Sequence, residues 1–337
     1  MDVIKFICVA VMVFIHAHLA LVADKYYVIA ETSGFFKITD QLMFIGLFIT
    51  TLPMLAGYVF RMNKRYEFEK IIKLAALLSF LGFFMNVVTW GVDYTFSWNI
   101  LQFISLSFVI IAILVEFFSI YGVFLLSLVT IFGAEFLRSS LSAFSDNYFI
   151  SIFIGAADGS AYWAFFPWFG VVGLGFLFAH YQLKFKNSSS FRTNVMVGGS
   201  LLVAAAFFQG KTGPELGQYS VWSPSIFQPE TWLILVIIGF SLALLVLGNT
   251  FFNKVRHSKY GIINSYSRGI LWIYIAQMFV SYKLSFLVKS FFTVNKPSLV
   301  YFAFIIFMFG FSWLVGVLSI KLLQEKKMTI VLRKING

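Results

Sequence analysis

Ten stretches of this 337-residue chain are apolar over about the length a helix needs to cross hydrocarbon, roughly 20 residues at 1.5 Å each. They are 3–22, 41–62, 70–91, 97–117, 118–137, 161–182, 193–209, 230–250, 266–288 and 298–323. Hydrophobic residues make up 60% of the chain and charged residues only 12%, too few to cover a water-soluble domain of this size. The fold class predicted is an all-α integral membrane protein, a bundle of about ten transmembrane helices. The run 147–156 (YFISIFIGAA) is too short to span and reads as re-entrant or interfacial. Span 118–137 follows its neighbour almost without a loop, and 193–209 is short.

Lysine and arginine orient the bundle. With the N-terminus inside, 18 of the 25 basic residues fall at inner positions and 7 at outer ones, the asymmetry expected of cytoplasmic loops. Both termini are then cytoplasmic. The net charge of +11 sits at the ends of apolar runs, which argues for membrane orientation and against nucleic acid. The first run reads as a retained span: residues before Asp24 are Leu21-Val22-Ala23, without a small-x-small cleavage site. The chain divides into a single transmembrane domain, 1–323, and a short basic cytoplasmic tail, 324–337. Short inner loops point to a bacterial plasma (inner) membrane, multi-pass. The single cysteine, Cys8, permits no internal disulfide. The Gly-Lys-Thr at 210–212 is no phosphate loop, because Ala205 stands where a glycine is required. No internal repeat is visible, which weighs against an inverted-repeat transporter.

The first span, VIKFICVAVMVFIHAHLALV, carries charge and imidazole. At 100° per residue, Lys5 and His16 fall about 20° apart and Asp2 about 60° from Lys5, so the three form one stripe. His18 falls about 140° from Lys5, on another face. Lys5 and His16 are separated by about 16 Å along the axis, so they line one passage rather than touch. Such stripes in hydrocarbon face a bundle interior or a wet cavity. For Lys5 alone, snorkelling to the inner interface is the competing reading. His16 has both a donor and an acceptor to satisfy and is the stronger functional candidate.

Further polar positions stand out. GYVFRMNKRYEFEKIIK, at 57–73, gathers Arg61, Lys64, Arg65, Lys70 and Lys73 on the cytoplasmic side. Topology explains each charge singly; together they also suit phosphates. Trp98, Asn99 and Gln102 open the fourth span, with Asn99 and Gln102 on one face at i, i+3. They bond between helices or orient an acceptor hydroxyl or acyl carbonyl; both readings stay open. Pro167 is expected to kink the sixth span. Gly170, Gly173 and Gly175 permit close helix approach. Asp40 opens the second span as a helix cap or as a carboxylate partner of His16. Glu135 reads as interfacial and solvated, and His180 and His257 sit in basic inner loops. No cluster has metal-ligand spacing, so no metal and no permanently bound cofactor is expected.

Asp2, a basic residue three later and His16 eleven further resemble the opening of the acyltransferase-three superfamily of membrane acyltransferases. FSWNILQFISLSFVI (96–110) resembles the Gly-Ile-Leu-His/Gln-x-Ile stretch of bacterial relatives of heparan-alpha-glucosaminide N-acetyltransferase. FFPWFGVVGLG (165–175) is similar to that branch's Pro-Trp-Phe-Gly-Val-Val-x-x-Gly, and SYSRGILWIYIAQ (265–277) to a late Gly-x-x-Ser-Leu-x-Ile-Tyr-x-x-His. This chain departs from the pattern at Lys5, where the family has Arg, and at Gln277, where it has His. Loop 23–40 also lacks the outer-loop histidine of the eukaryotic enzymes.

The resemblance implies a membrane-bound O- or N-acyltransferase. Acyl-CoA, most simply acetyl-CoA, is the cytoplasmic co-substrate, and a saccharide or lipid-linked glycan hydroxyl or amine is the acceptor. His16 is implied as general base, with an acyl-histidine relay as the alternative chemistry, and Asp2 and Asp40 accompany it. Lys5, Arg61, Arg65, Lys70 and Lys73 are implied at the donor. Trp98, Asn99, Gln102, Trp168 and Tyr274 are implied at the acceptor. Two other classes share the polar stripe: a transporter or flippase for a glycan or amphipathic solute, and a catalytically inactive acyltransferase-like partner.

Overall fold

The computed structural model describes residues 1–22, 46–63, 68–144, 147–155, 163–185, 188–209, 228–250, 261–292 and 297–335. Among them there are ten α-helices and no extended strand. They are α1 (Asp2–Val22), α2 (Gly46–Met62), α3 (Phe68–Trp90), α4 (Ile100–Ser140), α5 (Tyr148–Ile154), α6 (Phe165–Lys184), α7 (Ser189–Gln209), α8 (Thr231–Thr250), α9 (Ile262–Phe292) and α10 (Pro297–Ile335). Among the described residues, four segments are long and apolar enough to cross a membrane: Phe68–Trp90, Ile100–Ser140, Thr231–Thr250, and Val300–Leu322 within α10. Tyr121, Leu125, Phe132 and Phe136 repeat at helical spacing on α4 and are all exposed, a surface suited to lipid rather than water.

Every predicted span falls on a helix, with shifts of a few residues. The two abutting spans 97–117 and 118–137 share α4. Ser119 breaks it, with φ 58° and ψ −164°, a conformation that costs a non-glycine residue about 1–3 kcal/mol. In a straight helix residues eight apart lie about 12 Å apart along the axis. A Cβ on Gly122 would instead lie 3.5 Å from the carbonyl oxygen of Leu114. The chain therefore folds back at Ser119 and makes an antiparallel hairpin with almost no loop.

One expectation is corrected. Pro167 was expected to kink a span interior, but α6 starts at Phe165. Pro167 thus sits in the first turn, where its missing N–H costs little, and the non-helical residue is Phe166 just before it. Glu135 is exposed, as expected of an interfacial carboxylate, and it also accepts the backbone N–H of Thr231, the first residue of α8. The helix α10 runs on to Ile335, through most of the basic segment 324–337.

The chain forms two compact units. The first comprises Met1–Ile49 and Leu247–Gly337. Here α1 runs parallel to α9: Asp2 meets Ser267 near the start of both helices, and His16 meets Gln277 further along both. The helix α10 runs antiparallel to α9, with Gly316 against Ser265 and Gly269, and Met308 beside Ser281. These directions are the ones alternation assigns to a first, a ninth and a tenth span.

The second unit is Thr50–Val246. Close helix crossings build it. A Cβ on Gly57 would lie 1.9 Å from the carbonyl oxygen of Val172, and one on Gly175 would lie 2.1 Å from that of Met54, so α2 and α6 meet backbone to backbone. Gly170 and Gly173 face Ile131 and Ser127 on the second half of α4. The first half of α4 starts at a capping box: the Asn99 side chain accepts from Leu101 N at 2.9 Å, and Gln102 Oε1 accepts from Asn99 N at 2.7 Å. The Asn99 amide also donates to the Gly82 carbonyl and to Asn86 Oδ1 on α3. Ser105 donates to the Ala75 carbonyl one layer below.

Two outcomes follow. Gly57→Ala and Gly175→Ala must push α2 and α6 apart and should each cost about 1–3 kcal/mol, read as a lower thermal unfolding midpoint in detergent. Gly198→Ala and Gly310→Ala, whose added methyl meets nothing within 4 Å, should leave it unchanged. Asn99→Ala removes the cap and two interhelical bonds and should lower stability by about 1–3 kcal/mol in the same measurement.

Candidate active site

In the first unit, three polar contacts tie α1 to its neighbours. His16, partly buried, lies with Nδ1 3.0 Å from Nε2 of Gln277, which is fully buried. The Tyr274 ring centroid is 5.9 Å from that of His16, tilted by 50°. Tyr274 and Gln277 are three apart on α9, so one helical face presents both to the imidazole. The carbonyl oxygen of Gln277 is buried and has no partner among the described residues. Two residues further along α1, buried His18 has Nδ1 2.7 Å from the Tyr301 hydroxyl on α10. The two histidines thus address different helices, as their separate faces require.

At the start of α1, the carboxylate of Asp2 accepts the hydroxyl of buried Ser267. Asp2, Lys5 and Arg268 lie within electrostatic reach of one another, and Lys5 is partly buried. The N-terminal ammonium donates to the Gly248 carbonyl at 3.5 Å. Asp2 and His16 therefore both meet α9, the arrangement that their shared stripe demands. Asp40 and Arg65 lie outside the described residues.

In the second unit, Arg61 directs Nε and Nη2 at Nδ1 of His180, each at 3.4 Å, and its guanidinium lies 5.9 Å from the centre of the Phe176 ring. Lys184, one turn beyond His180, adds to the positive field there. Lys70 and Lys73 are exposed, and Lys73 pairs with Glu69 one turn earlier. The Trp98 indole donates to the Trp163 carbonyl at 2.8 Å. Trp168 is fully buried, packed on Trp163 with ring centroids 4.7 Å apart. Asn99 serves as cap and interhelical donor. Gln102 caps through its oxygen, while its buried Nε2 has no partner among the described residues. No group of three or more His, Cys, Asp or Glu side chains that could hold a metal occurs among the described residues.

Ser267 and His180 escaped the sequence reading. Nothing local marks Ser267, which is one of many small polar residues. His180 was visible only as a histidine near basic residues. Gln277 was singled out by its place in a motif, but not as a neighbour of His16.

The arrangement can do acid–base chemistry. An imidazole with one nitrogen held by an amide has its other nitrogen available to take or give a proton. The adjacent tyrosine supplies an apolar ring face and a hydroxyl.

Comparison with known proteins adds an independent finding. The family model for heparan-alpha-glucosaminide N-acetyltransferase, catalytic, matches residues 1–213. That stretch contains Asp2, Lys5, His16, Arg61, Asn99, Gln102 and Trp168, and ends before Tyr274 and Gln277. No curated protein and no solved structure matches the chain. With well over half of its length covered by that model, the chain belongs to the heparan-alpha-glucosaminide N-acetyltransferase catalytic family.

Proposed function

We propose that this protein transfers an acetyl group from acetyl-CoA, taken from the cytoplasm, to a saccharide or lipid-linked glycan at the cytoplasmic membrane. Family membership supports acetyl transfer, and the family's description names a glucosamine acceptor. The observation that carries the reading is the imidazole of His16, held by Gln277 and flanked by Tyr274 on a largely apolar helix. The bacterial setting, ten spans and kinship to the wider acyltransferase-three superfamily belong to the same proposal.

Acyl-CoA carries phosphates at one end and a thioester at the other, so two kinds of residue share its recognition. Arg61, with Lys70, Lys73 and Arg65, meets the phosphates; Arg alone among these has a fork that bonds a phosphate twice. Lys5 and Asp2 guard the inner end of the first helix. His16 acts on the acceptor: its free nitrogen takes the proton of the hydroxyl or amine as that group attacks the thioester carbonyl. The tetrahedral adduct then collapses, and the departing thiolate recovers the proton as CoA-SH. Trp98, Gln102 and Tyr274 are the acceptor-side candidates, of which Gln102 has a buried amide donor with no partner among the described residues. Asn99 and Trp168 hold the helices and rings around Trp98 and Gln102.

Purified protein supplied with radiolabelled acetyl-CoA and a glucosamine-terminated acceptor should move label onto the acceptor. General base catalysis supplies about 10²–10⁴-fold, so His16→Ala should lose that much turnover while keeping its elution profile and losing no more than about 2 kcal/mol of stability with its bond to Gln277. Turnover within threefold of wild type in His16→Ala would remove the imidazole from the chemistry. No label transfer by the wild type, with solute-dependent exchange of access instead, would favour a transporter.

A further inference from the structure

We propose that Gln277 is the positioning residue for His16: it fixes the ring so that Nδ1 carries the proton and Nε2 presents a lone pair to the acceptor. This rests on the reading of His16 as the base.

The geometry carries the inference. Gln277 is completely buried, and its Nε2 lies 3.0 Å from His16 Nδ1; a half-turn of the amide would place Oε1 there instead. A neutral imidazole has one N–H and one bare nitrogen, so whatever Nδ1 does decides what Nε2 can do. An amide offers either a donor or an acceptor to Nδ1, related by a half-turn. With the amide NH₂ on Nδ1, Nε2 holds the hydrogen and cannot take a proton, and the Gln277 carbonyl is left buried without a partner. With the carbonyl on Nδ1–H, Nε2 is bare and basic. The base chemistry selects the second arrangement, and the leftover NH₂ becomes a donor for a bound group.

Gln277 cannot itself ionise, so it cannot pass a proton onward. The proton that Nε2 takes from the acceptor O–H or N–H must leave from Nε2 to the departing thiolate. Bond formation between acceptor and acyl carbon, cleavage of the C–S bond and one proton moved through one nitrogen complete the balance: acylated acceptor and CoA-SH. One imidazole thus acts as base and then acid at a single atom, with no second histidine behind it.

The test uses the full-length protein in lipid nanodiscs, with ¹⁵N-labelled histidine and the His16 signals assigned by their loss in His16→Ala. Wild type should show a protonated Nδ1 and a bare Nε2 on His16. Gln277→Leu should lose this preference and lower kcat by about tenfold or more, with KM for acetyl-CoA within twofold. Gln277→Glu restores an acceptor for Nδ1–H and should recover most of kcat. Its acid limb in the pH–kcat/KM profile should move to higher pH if the carboxylate ionises, because a neighbouring negative charge favours imidazolium. A wild-type His16 protonated at Nε2, or Gln277→Leu with kcat within threefold, overturns the positioning role. If His16→Ala stays inactive in those cases, the general reading of His16 survives; if it is active, that reading fails first. The tautomer measurement on wild type decides the matter even if a Gln277 variant fails to fold.

Discussion

A polar group in hydrocarbon must be matched by another, because water is not there to do it. That constraint fixes how the first helix sits. Its residues are apolar except at Asp2, Lys5, His16 and His18. Asp2 and His16 find Ser267 and Gln277 on α9, and His18 finds Tyr301 on α10. Interhelical bonds of this kind are worth only about 0.6–2 kcal/mol each, yet they choose the rotation of α1, since turning the helix would expose all three at once. The bond that orients the helix at His16 also holds the imidazole that we propose for the chemistry.

The Thr50–Val246 unit is built on another principle. Its helices approach closely where glycines remove side chains, and the start of α4 is tied down by Asn99 and Gln102. Buried rings, among them Trp163, Trp168 and Phe169, fill the space beside them. Polar side chains there mostly satisfy backbone and one another. Gln102 is an exception, with a buried amide nitrogen that has no partner among the described residues, and Arg61 directs two of its N–H groups at the imidazole of His180.

Much of the architecture was legible because it follows from local chemistry. Apolar runs of about 20 residues gave the helices, and the 100° helical repeat put Asp2 and His16 on one stripe, which the shared contact with α9 matches. Even the loopless reversal in α4 could be read from length alone, since one span cannot hold 41 residues. The choice between readings of Asn99 and Gln102 was also open to better reading: Asn followed three later by Gln is the pattern of a capping box. What stayed hidden depends on neighbours. Periodicity says which face a residue occupies, not which helix meets it. So Gln277, 261 residues from His16, and His180, 119 from Arg61, required the three-dimensional structure. Pro167 misled because the helix starts four residues later than its apolar run.

The account stands on an acyl group meeting the imidazole of the first helix. A structure of the protein with a non-hydrolysable acetyl-CoA analogue tests this most directly. It should place the acyl carbonyl so that an acceptor hydroxyl or amine attacking it lies within hydrogen-bond reach, about 3 Å, of His16. An analogue bound with its acyl group against other residues, leaving no room for an acceptor within reach of His16, would contradict it.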